Sequence, residues 1–185
     1  MKLMIASDIH GSAKFCKQML EAYSREGAEK LLLLGDLLYH GPRNDLPQEY
    51  NPKQVIKMLN ERKKELLCVR GNCEAEVDQM VLEFPVLVEY MILYLDHRTI
   101  FVTHGHHYNL STLPPLQDGD ILLHGHTHVQ AIQKSGEIWY LNPGSISIPK
   151  EGNQHSYMLY EEGTYTIKAL DGTILKESPN FSTLT

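Results

Sequence analysis

The chain has 185 residues, of which 42% are hydrophobic and 22% are charged, and its formal net charge at pH 7 is −6. This length and composition predict a single soluble domain over residues 1–185, and the acidic balance argues against a general nucleic-acid-binding surface. The apolar start of the chain is too short for a secretory signal, no later run is long enough for a membrane span, and the three cysteines form no Cys-x-x-Cys pair. We therefore expect a cytoplasmic protein without a disulfide framework.

The first half of the chain alternates apolar runs with helical patterns. The runs at 2–6, 30–34 and 66–69 are typical of strands buried in a parallel sheet. Capping residues predict helices over 12–26 and from Asn51 to about residue 63, with Pro52 in the first turn. Alternating strands and helices predict a parallel sheet with helical crossovers.

After Pro85 the pattern changes to strands joined by short turns. Predicted strands cover 86–94, 99–103, 120–123, 131–134, 137–141, 157–160, 164–170 and 173–176. Two sheets packed face to face, with helices outside, would cover all of these apolar faces. The apolar hairpin at 86–102 is expected either at a subunit interface or against the second sheet, and the polar end from Glu177 is expected to fray.

Two histidines follow the predicted strand at 120–123. In an extended backbone, residues two apart point to the same side, so His126 and His128 are expected to converge on one point beyond the strand end. Open α/β sheets keep their chemistry at this edge, and neutral imidazole is the commonest metal ligand in proteins. The sequence therefore predicts a metal site after this strand.

Polar side chains of metal-binding type follow the other strands as well. Taken singly, each has a structural explanation as a helix cap, a turn residue or a buried histidine. Together they favour a metal site, and as carboxylate, amide and imidazole donors they suit Mn²⁺, Fe²⁺, Zn²⁺ or Co²⁺. Seven groups are enough for two ions that share a carboxylate. The seven residues are Asp8, His10, Asp36, Asn72, His104, His126 and His128.

The order Asp-x-His, Gly-Asp, Gly-Asn, His and Gly-His-x-His resembles the calcineurin-like metallophosphoesterases. The small size and the sequence Gly71-Asn72-Cys73-Glu74 are similar to their YfcE-type phosphodiesterase branch. The resemblance implies an α/β fold, a four-layer αββα sandwich of two mixed β-sheets flanked by helices. It also implies a metal-dependent phosphodiesterase in which a hydroxide bridging two divalent ions attacks phosphorus. We favour Mn²⁺ for both ions, with Zn²⁺, Fe²⁺ and Co²⁺ as alternatives.

The resemblance also implies a division of the ligands, with Asp36 bridging the two ions. The first ion would be held by Asp8, His10, Asp36 and His128. The second ion would be held by Asp36, Asn72, His104 and His126.

Two positions depart from the family pattern. Cys73 stands where many members have the histidine credited with protonating the leaving group, and Tyr39-His40 replaces the Asp-Arg pair that supports it. We therefore expect either a substrate with a good leaving group or a substitute acid, for which His40 and His106 are the candidates. Cys73 is interpreted as either catalytic or inert. Arg70 is interpreted as either binding a phosphate oxygen or a solvated side chain.

Two other functions are considered. The first is a phosphomonoesterase or phosphoprotein phosphatase that uses the same site, and the second is a non-catalytic scaffold similar in fold to Vps29. Every predicted ligand position holds a residue able to bind metal, which favours an enzyme over a scaffold. The expected partner is a small phosphodiester, with no membrane and no stable nucleic-acid complex, and a homo-oligomer is left open.

Overall fold

The computed structural model describes residues 1–184 and contains two mixed β-sheets. The strands of the first sheet are β1 (Lys2–Ala6), β2 (Lys30–Leu33), β3 (Leu66–Cys68), β9 (Ser156–Glu161), β10 (Thr164–Ala169) and β11 (Ile174–Glu177). Those of the second are β4 (Tyr90–Leu95), β5 (Arg98–Thr103), β6 (Ile121–Leu123), β7 (Gln130–Ser135) and β8 (Ile138–Pro143). The six-stranded sheet has the order β11-β10-β9-β1-β2-β3, and the five-stranded sheet has the order β4-β5-β6-β8-β7.

Parallel pairing occupies one end of the six-stranded sheet and the centre of the five-stranded sheet. Strands β1, β2 and β3 are parallel neighbours, as are β5, β6 and β8, and the remaining pairs are antiparallel. One apolar cluster joins the two sheets, with Ile5 and Leu32 contributed by the first and Val102 and Leu123 by the second. The predicted architecture of two mixed sheets packed face to face is confirmed.

Helices cover the outer face of the six-stranded sheet. Helix α1 (Ala13–Glu26) and helix α2 (Pro52–Glu61) contribute to the apolar cluster on that face. The predicted caps are present, because the side chain of Ser12 accepts a hydrogen bond from the Phe15 amide at 3.3 Å, and Asn51 caps α2 ahead of its N-terminal proline. The short helix α3 (Glu76–Val81) follows β3 and has no buried residue.

The hairpin of β4 and β5 packs on one face only. The side chains of Met91 and Leu93 lie against the cluster between the sheets, whereas those of Tyr90, Ile92 and Tyr94 on the opposite face are 48–69% exposed. The strand begins at Tyr90 and not at the predicted residue 86. The inner face of the hairpin therefore packs in the interior between the two sheets, and its outer face is exposed.

The C-terminal segment is more ordered than its composition predicts. Phe181 opens a 3₁₀ turn, is 1% exposed, and packs edge-on against Tyr165 and Trp139. The prediction of a frayed end from Glu177 was therefore wrong, because one aromatic side chain fixes an otherwise polar segment. No helix within residues 1–184 combines the length and the apolar character that a bilayer-spanning segment needs.

Candidate metal centre

The seven predicted ligands lie at the carboxyl ends of five strands. Three of these strands, β1, β2 and β3, belong to the first sheet, and β5 and β6 belong to the second. The two sheet edges meet directly, because the backbone amide of His126 donates to Asp8 Oδ2 at 3.1 Å. The structure therefore brings all seven side chains to one place.

The first group of donors consists of Asp8, His10 and His128. The Nε2 atom of His128 lies 3.2 Å from Asp8 Oδ1, and that of His10 lies 3.5 Å from the same oxygen. The two Nε2 atoms are 3.3 Å apart. Three donor atoms thus face a common point.

The second group is arranged around Asp36 and His104. The Nε2 atom of His104 lies 3.5 Å from Asp36 Oδ2, 3.2 Å from Asn72 Oδ1 and 3.2 Å from His126 Nδ1. Asp36 Oδ2 also lies 3.6 Å from His10 Nε2, a member of the first group. One carboxylate oxygen therefore faces both groups of donors.

Backbone carbonyls orient three of the imidazoles. In each of them Nδ1 faces a carbonyl oxygen, so that Nδ1–H donates and Nε2 carries a lone pair toward the centre. This is the arrangement of metal-binding histidines in proteins. The distances are 2.8 Å from His10 Nδ1 to Tyr39 O, 2.6 Å from His104 Nδ1 to Leu34 O, and 2.7 Å from His128 Nδ1 to Ile148 O.

The spacing of the donor atoms fits divalent ions. Asp8 Oδ1 is buried and has no hydrogen-bond partner among the described residues, an arrangement that is costly unless a cation is bound. Ligands held about 2.1 Å from an ion are about 3.0–3.4 Å apart at tetrahedral or octahedral angles. The observed 3.2–3.6 Å between neighbouring donors lies close to that range.

The electrostatics of the centre favour positive charge. Burial opposes the ionisation of Asp8, but the imidazoles of His10 and His128 that face its carboxylate outweigh it and hold its pKa well below the usual value. Burial likewise disfavours protonated His104, yet the Asp36 hydrogen bond and the charges of Asp8 and Asp36 raise its pKa to about 9. The two carboxylates thus favour a positive charge beside them, and a bound metal ion would supply that charge.

Most ligands lie in a strained backbone conformation. The φ angles of Asp8, His10, Asp36, His126 and His128 are +59°, +49°, +55°, +64° and +61°. Left-handed conformations in residues other than glycine cost on the order of 1 kcal/mol each and concentrate at functional sites. The expectation that His126 and His128 converge from an extended segment was therefore wrong, because each lies in a tight turn.

Glu74 holds the β2 and β3 strand ends together. Its carboxylate is 4% exposed and accepts hydrogen bonds from the amides of Asp36 at 2.9 Å, Leu37 at 2.7 Å and Gly71. A side chain at Gly71 would collide with Asp36 Oδ1 and with Glu74 itself, so glycine is required there. Glu74 is part of the Gly71-Asn72-Cys73-Glu74 motif, but no local sequence pattern predicts this bracing function.

The end of β8 and the segment that follows it support the centre from behind. The amide of Asn142 donates to Gly125 O at 2.8 Å and to Thr127 Oγ1 at 3.0 Å, which fixes the turn carrying His126 and His128. The hydroxyls of Ser145 and Ser147 donate to the carbonyl of Asp8 at 2.9 and 3.0 Å. Residues 142–147 therefore position the predicted ligands, and β8 extends through Pro143, beyond the predicted end at residue 141.

A cavity of about 410 Å³ opens over the centre, and Asp36, Asn72, Cys73 and both histidines of the 126–128 turn contribute to its wall. Cys73 Sγ lies 3.3 Å from Asp36 Oδ2. Burial and the neighbouring carboxylate charges raise the pKa of this thiol well above its usual value. Cys73 is thus a neutral thiol against a predicted ligand.

The other candidate residues lie outside this cavity wall. His40 packs edge-on against Tyr39 and Tyr50. His106 lies beside His104, with ring centroids 5.5 Å apart, and burial together with the charges of the neighbouring histidines lowers its pKa to about 4.

Arg70 is engaged elsewhere. Its guanidinium pairs with Glu89 at 3.0 Å and donates to the Glu74 carbonyl at 3.3 Å. The structure therefore brings the seven predicted ligands and Cys73 together and places His106 beside His104 and His126, outside the cavity wall. His40 packs against tyrosines and Arg70 is paired with Glu89.

Comparisons with known proteins agree with this geometry. Residues 1–164 match the family model of the calcineurin-like phosphoesterase superfamily domain. The chain is 46% identical over 171 residues to phosphodiesterase YfcE of Escherichia coli K12, with 92% of this chain and 93% of the relative covered.

Solved structures show the same fold. The E. coli phosphoesterase YfcE superposes with a TM-score of 0.94 at 44% identity, covering 97% of this chain and 100% of the other. Vps29 of Entamoeba histolytica, solved with Zn²⁺, superposes with a TM-score of 0.58 at 20% identity, covering 98% and 99% of the two chains, and shows the fold alone. On the family match and the identity to YfcE, the chain belongs to the calcineurin-like phosphoesterase superfamily.

Proposed function

We propose that this chain, as one domain over residues 1–185, is a metal-dependent phosphodiesterase. The observation that carries the proposal is the position of Asp36 Oδ2, which faces His10 at 3.6 Å and His104 at 3.5 Å and so can be shared by two ions. The E. coli relative at 46% identity is named a phosphodiesterase. The function follows from both, since an oxygen-and-nitrogen dinuclear centre suits phosphoryl transfer.

The ligands divide between two ions. Asp8, His10 and His128 would hold one ion, Asn72, His104 and His126 would hold the other, and Asp36 would be shared by both. The absence of thiolates among these donors suits Mn²⁺, and also Zn²⁺, Fe²⁺ or Co²⁺. Bound divalent ions supply a Lewis acid for the phosphoryl oxygens and lower the pKa of water.

The protein's own contribution is positioning. Carbonyls fix the tautomers of three histidines, Glu74 fixes the strand end that carries Asp36, and Asn142 fixes the turn that carries His126. Such preorganisation places charge where it develops in the transition state without rearrangement during the reaction.

Departure of the leaving group receives little help from a side chain. Neither His40 nor His106 contributes to the cavity wall, and in the metal-free protein burial and the neighbouring carboxylates raise the pKa of the Cys73 thiol. We therefore expect the rate to depend steeply on the leaving group, with aryl esters favoured over alkyl esters. A series of aryl diesters of graded leaving-group pKa tests this, and a flat series would instead implicate a general acid, to be located with His40→Ala and His106→Ala.

A phosphomonoesterase using the same site is the second candidate, and a non-catalytic scaffold is the third. The missing acid histidine disfavours the monoesterase, and the complete ligand set disfavours the scaffold. Purified protein loaded with Mn²⁺ is assayed against bis(p-nitrophenyl) phosphate and p-nitrophenyl phosphate. We expect turnover of the diester to dominate. Preferred turnover of the monoester would support the second candidate, and metal binding without any hydrolysis would support the third.

The division of ligands has its own test. We expect His126→Ala and His128→Ala each to lose about one of the two ions, because the two side chains serve different ions. Metal content per chain, measured by mass spectrometry of the purified proteins, distinguishes this from a single shared site. Loss of both ions from each single variant would contradict the division.

The proposed partner is a small phosphodiester, with no stable nucleic-acid complex, and a homo-oligomer remains open. A cytoplasmic location is supported by the three cysteines, all of which are free. Subcellular fractionation tests the location, and the shift of an oligonucleotide band on a native gel tests for nucleic-acid binding.

A further inference from the structure

Two cations flank the cavity above the metal centre. Arg43 and Lys150 both contribute to its wall and are exposed. Neither has an ion-pair partner within 4.0 Å among the ion pairs of the described residues. Two cations therefore line one cavity with no carboxylate paired to either of them among the described residues.

Backbone contacts tie both cations to the centre. The turn that carries Arg43 is closed by the Asn44 side chain, which donates to His40 O at 2.8 Å, and Gly41 in the same turn packs near Cys73. On the other side, the amide of Lys150 donates to the carbonyl of His128 at 3.2 Å. Arg43 and Lys150 therefore approach the cavity from different loops. The loop of Lys150 is hydrogen-bonded to the predicted ligand His128, and the loop of Arg43 lies beside Cys73, which contacts the predicted ligand Asp36.

The charge count leaves these cations unmatched by a simple diester. Two dications, less the carboxylates of Asp8 and Asp36 and one hydroxide, would leave a formal charge of about +1 at the centre. A phosphodiester monoanion balances that charge. Arg43 and Lys150 then add about +2, which calls for further negative charge on the substrate.

A second cavity on the other side of the turn has the opposite character. It measures about 500 Å³, and its wall includes Leu110, Val129, Tyr140 and one acidic side chain, Glu151. His126 and Thr127 contribute to both cavities and so separate them. An uncharged arm suits this second cavity, whereas an anionic arm suits the first.

We propose that the substrate is a phosphodiester in which one arm carries a terminal phosphate or similar dianion, held by Arg43 and Lys150. The inference rests on the proposed phosphodiesterase activity and specifies its substrate class. Guanidinium and ammonium groups both form charge-assisted hydrogen bonds with phosphate oxygens. Arg43 and Lys150 thereby select among diesters, while the metal ligands act on the shared phosphoryl group.

Two matched substrates test the proposal, p-nitrophenyl propyl phosphate and p-nitrophenyl 3-phosphonopropyl phosphate. Hydrolysis adds water across the bond to p-nitrophenol in both and leaves the other arm as a phosphate monoester. The carbon–phosphorus bond of the phosphonate is not cleaved, so the two substrates share the reacting ester and differ in the phosphonate group at the end of the other arm. We expect kcat/KM to favour the phosphonate by about tenfold, or about 1.4 kcal/mol, as two solvent-exposed charge contacts allow.

The paired variants assign the effect. In Arg43→Ala/Lys150→Ala the ratio of the two kcat/KM values should fall to about one, since the charge selectivity is lost. Lys53→Ala/Lys57→Ala removes the same two charges from the exposed face of α2, outside the cavity wall, and should keep the wild-type ratio. Added salt should reduce the wild-type ratio, because it screens exposed charges.

A binding measurement gives a second readout. By calorimetry, the metal-loaded protein should bind the product 3-phosphonopropyl phosphate more tightly than propyl phosphate, and Arg43→Ala/Lys150→Ala should abolish the difference. A wild-type ratio near one, or a high ratio that survives in that variant, would overturn the proposal while leaving the phosphodiesterase intact. Hydrolysis of neither diester by the metal-loaded wild type would instead overturn the activity on which it rests.

Discussion

Two polar clusters in this molecule, one half-buried and one buried, differ in how their charges are matched. At the end of α1, Glu26 accepts from the Tyr157 hydroxyl at 2.6 Å and from the Lys168 ammonium at 2.9 Å, so its charge is matched within the protein. At the metal centre, Asp8 Oδ1 has no such partner among the described residues. Buried polar groups in native proteins are almost always paired, so an unpaired one marks a place for a ligand. The cluster around Glu26 is closed, because its charges are paired, and it stabilises the fold. The metal centre is an open cluster, because it contains an unpaired oxygen, and it is suited to bind a ligand.

The largest effect is expected from the open cluster. Asp36→Asn keeps the shape of the side chain but removes the shared charge, and we expect kcat/KM to fall more than about 100-fold, beyond the usual cost of an outer-sphere change. Metal content should fall in parallel. Asp118→Asn, an exposed carboxylate elsewhere, should change neither. A fully active, fully metallated Asp36→Asn protein would remove Asp36 from the centre.

Removal of the metal should destabilise the open cluster and leave the closed cluster unaffected. We expect chelation to lower Tm by about 5–10 °C, since an ion at about 100 times its Kd stabilises by about 2.7 kcal/mol, and each kcal/mol shifts Tm by about 2–4 °C for a chain of this size. Scanning calorimetry with and without chelator measures the shift. The shift should be the same in Glu26→Gln, and identical melting of the metal-free and metal-loaded forms would contradict an open cluster.

The closed cluster should affect stability alone. Glu26→Gln leaves the Lys168 ammonium unpaired, and we expect a loss of about 1–2 kcal/mol in the free energy of unfolding, measured with urea. Activity should persist, because Glu26 lies about 20 Å along α1 from the end near the metal centre. Reduced kcat/KM in folded Glu26→Gln would show that the clusters are coupled.

The same variant has a defined pH dependence. Burial opposes ionisation of Glu26, but hydrogen bonds from Tyr157 and Lys168 lower its pKa below the usual 4.5. Its stabilisation is therefore complete above pH 4.5 and is lost as the pH falls through the lower, folded-state pKa. The stability difference between wild type and Glu26→Gln should shrink below pH 4.5, and a constant difference would exclude this origin.

The smallest effect is expected at Cys73. Cys73→Ala removes a neutral thiol and one weak contact with Asp36, so kcat/KM for an aryl diester should change less than about threefold. The thiol reagent iodoacetamide should likewise leave Cys73 largely unmodified, because its raised pKa keeps the thiolate scarce. A large loss of activity in Cys73→Ala with full metal content would give the thiol a catalytic function.

Short-range patterns made part of the molecule predictable. Asp8, Asp36 and His104 each follow an apolar run directly, and the carboxyl ends of parallel strands share one edge, so their meeting could be anticipated. The left-handed turn at His126 could not, since periodicity carries no information about φ. Glu74 and Asn142 were missed because their partners lie on other strands, and Arg43 because its neighbours become visible only after folding.

Glu74 and the carbonyls behind the histidines fix the donor atoms through bonds that involve no metal. The metal-free protein should consequently keep these donor atoms in position, in contrast to small domains that fold only around their ion. A single preparation can then be stripped and reloaded with Mn²⁺, Zn²⁺ or Co²⁺ in turn. Differences in turnover would report the chemistry of the ion itself, with the scaffold as a constant background.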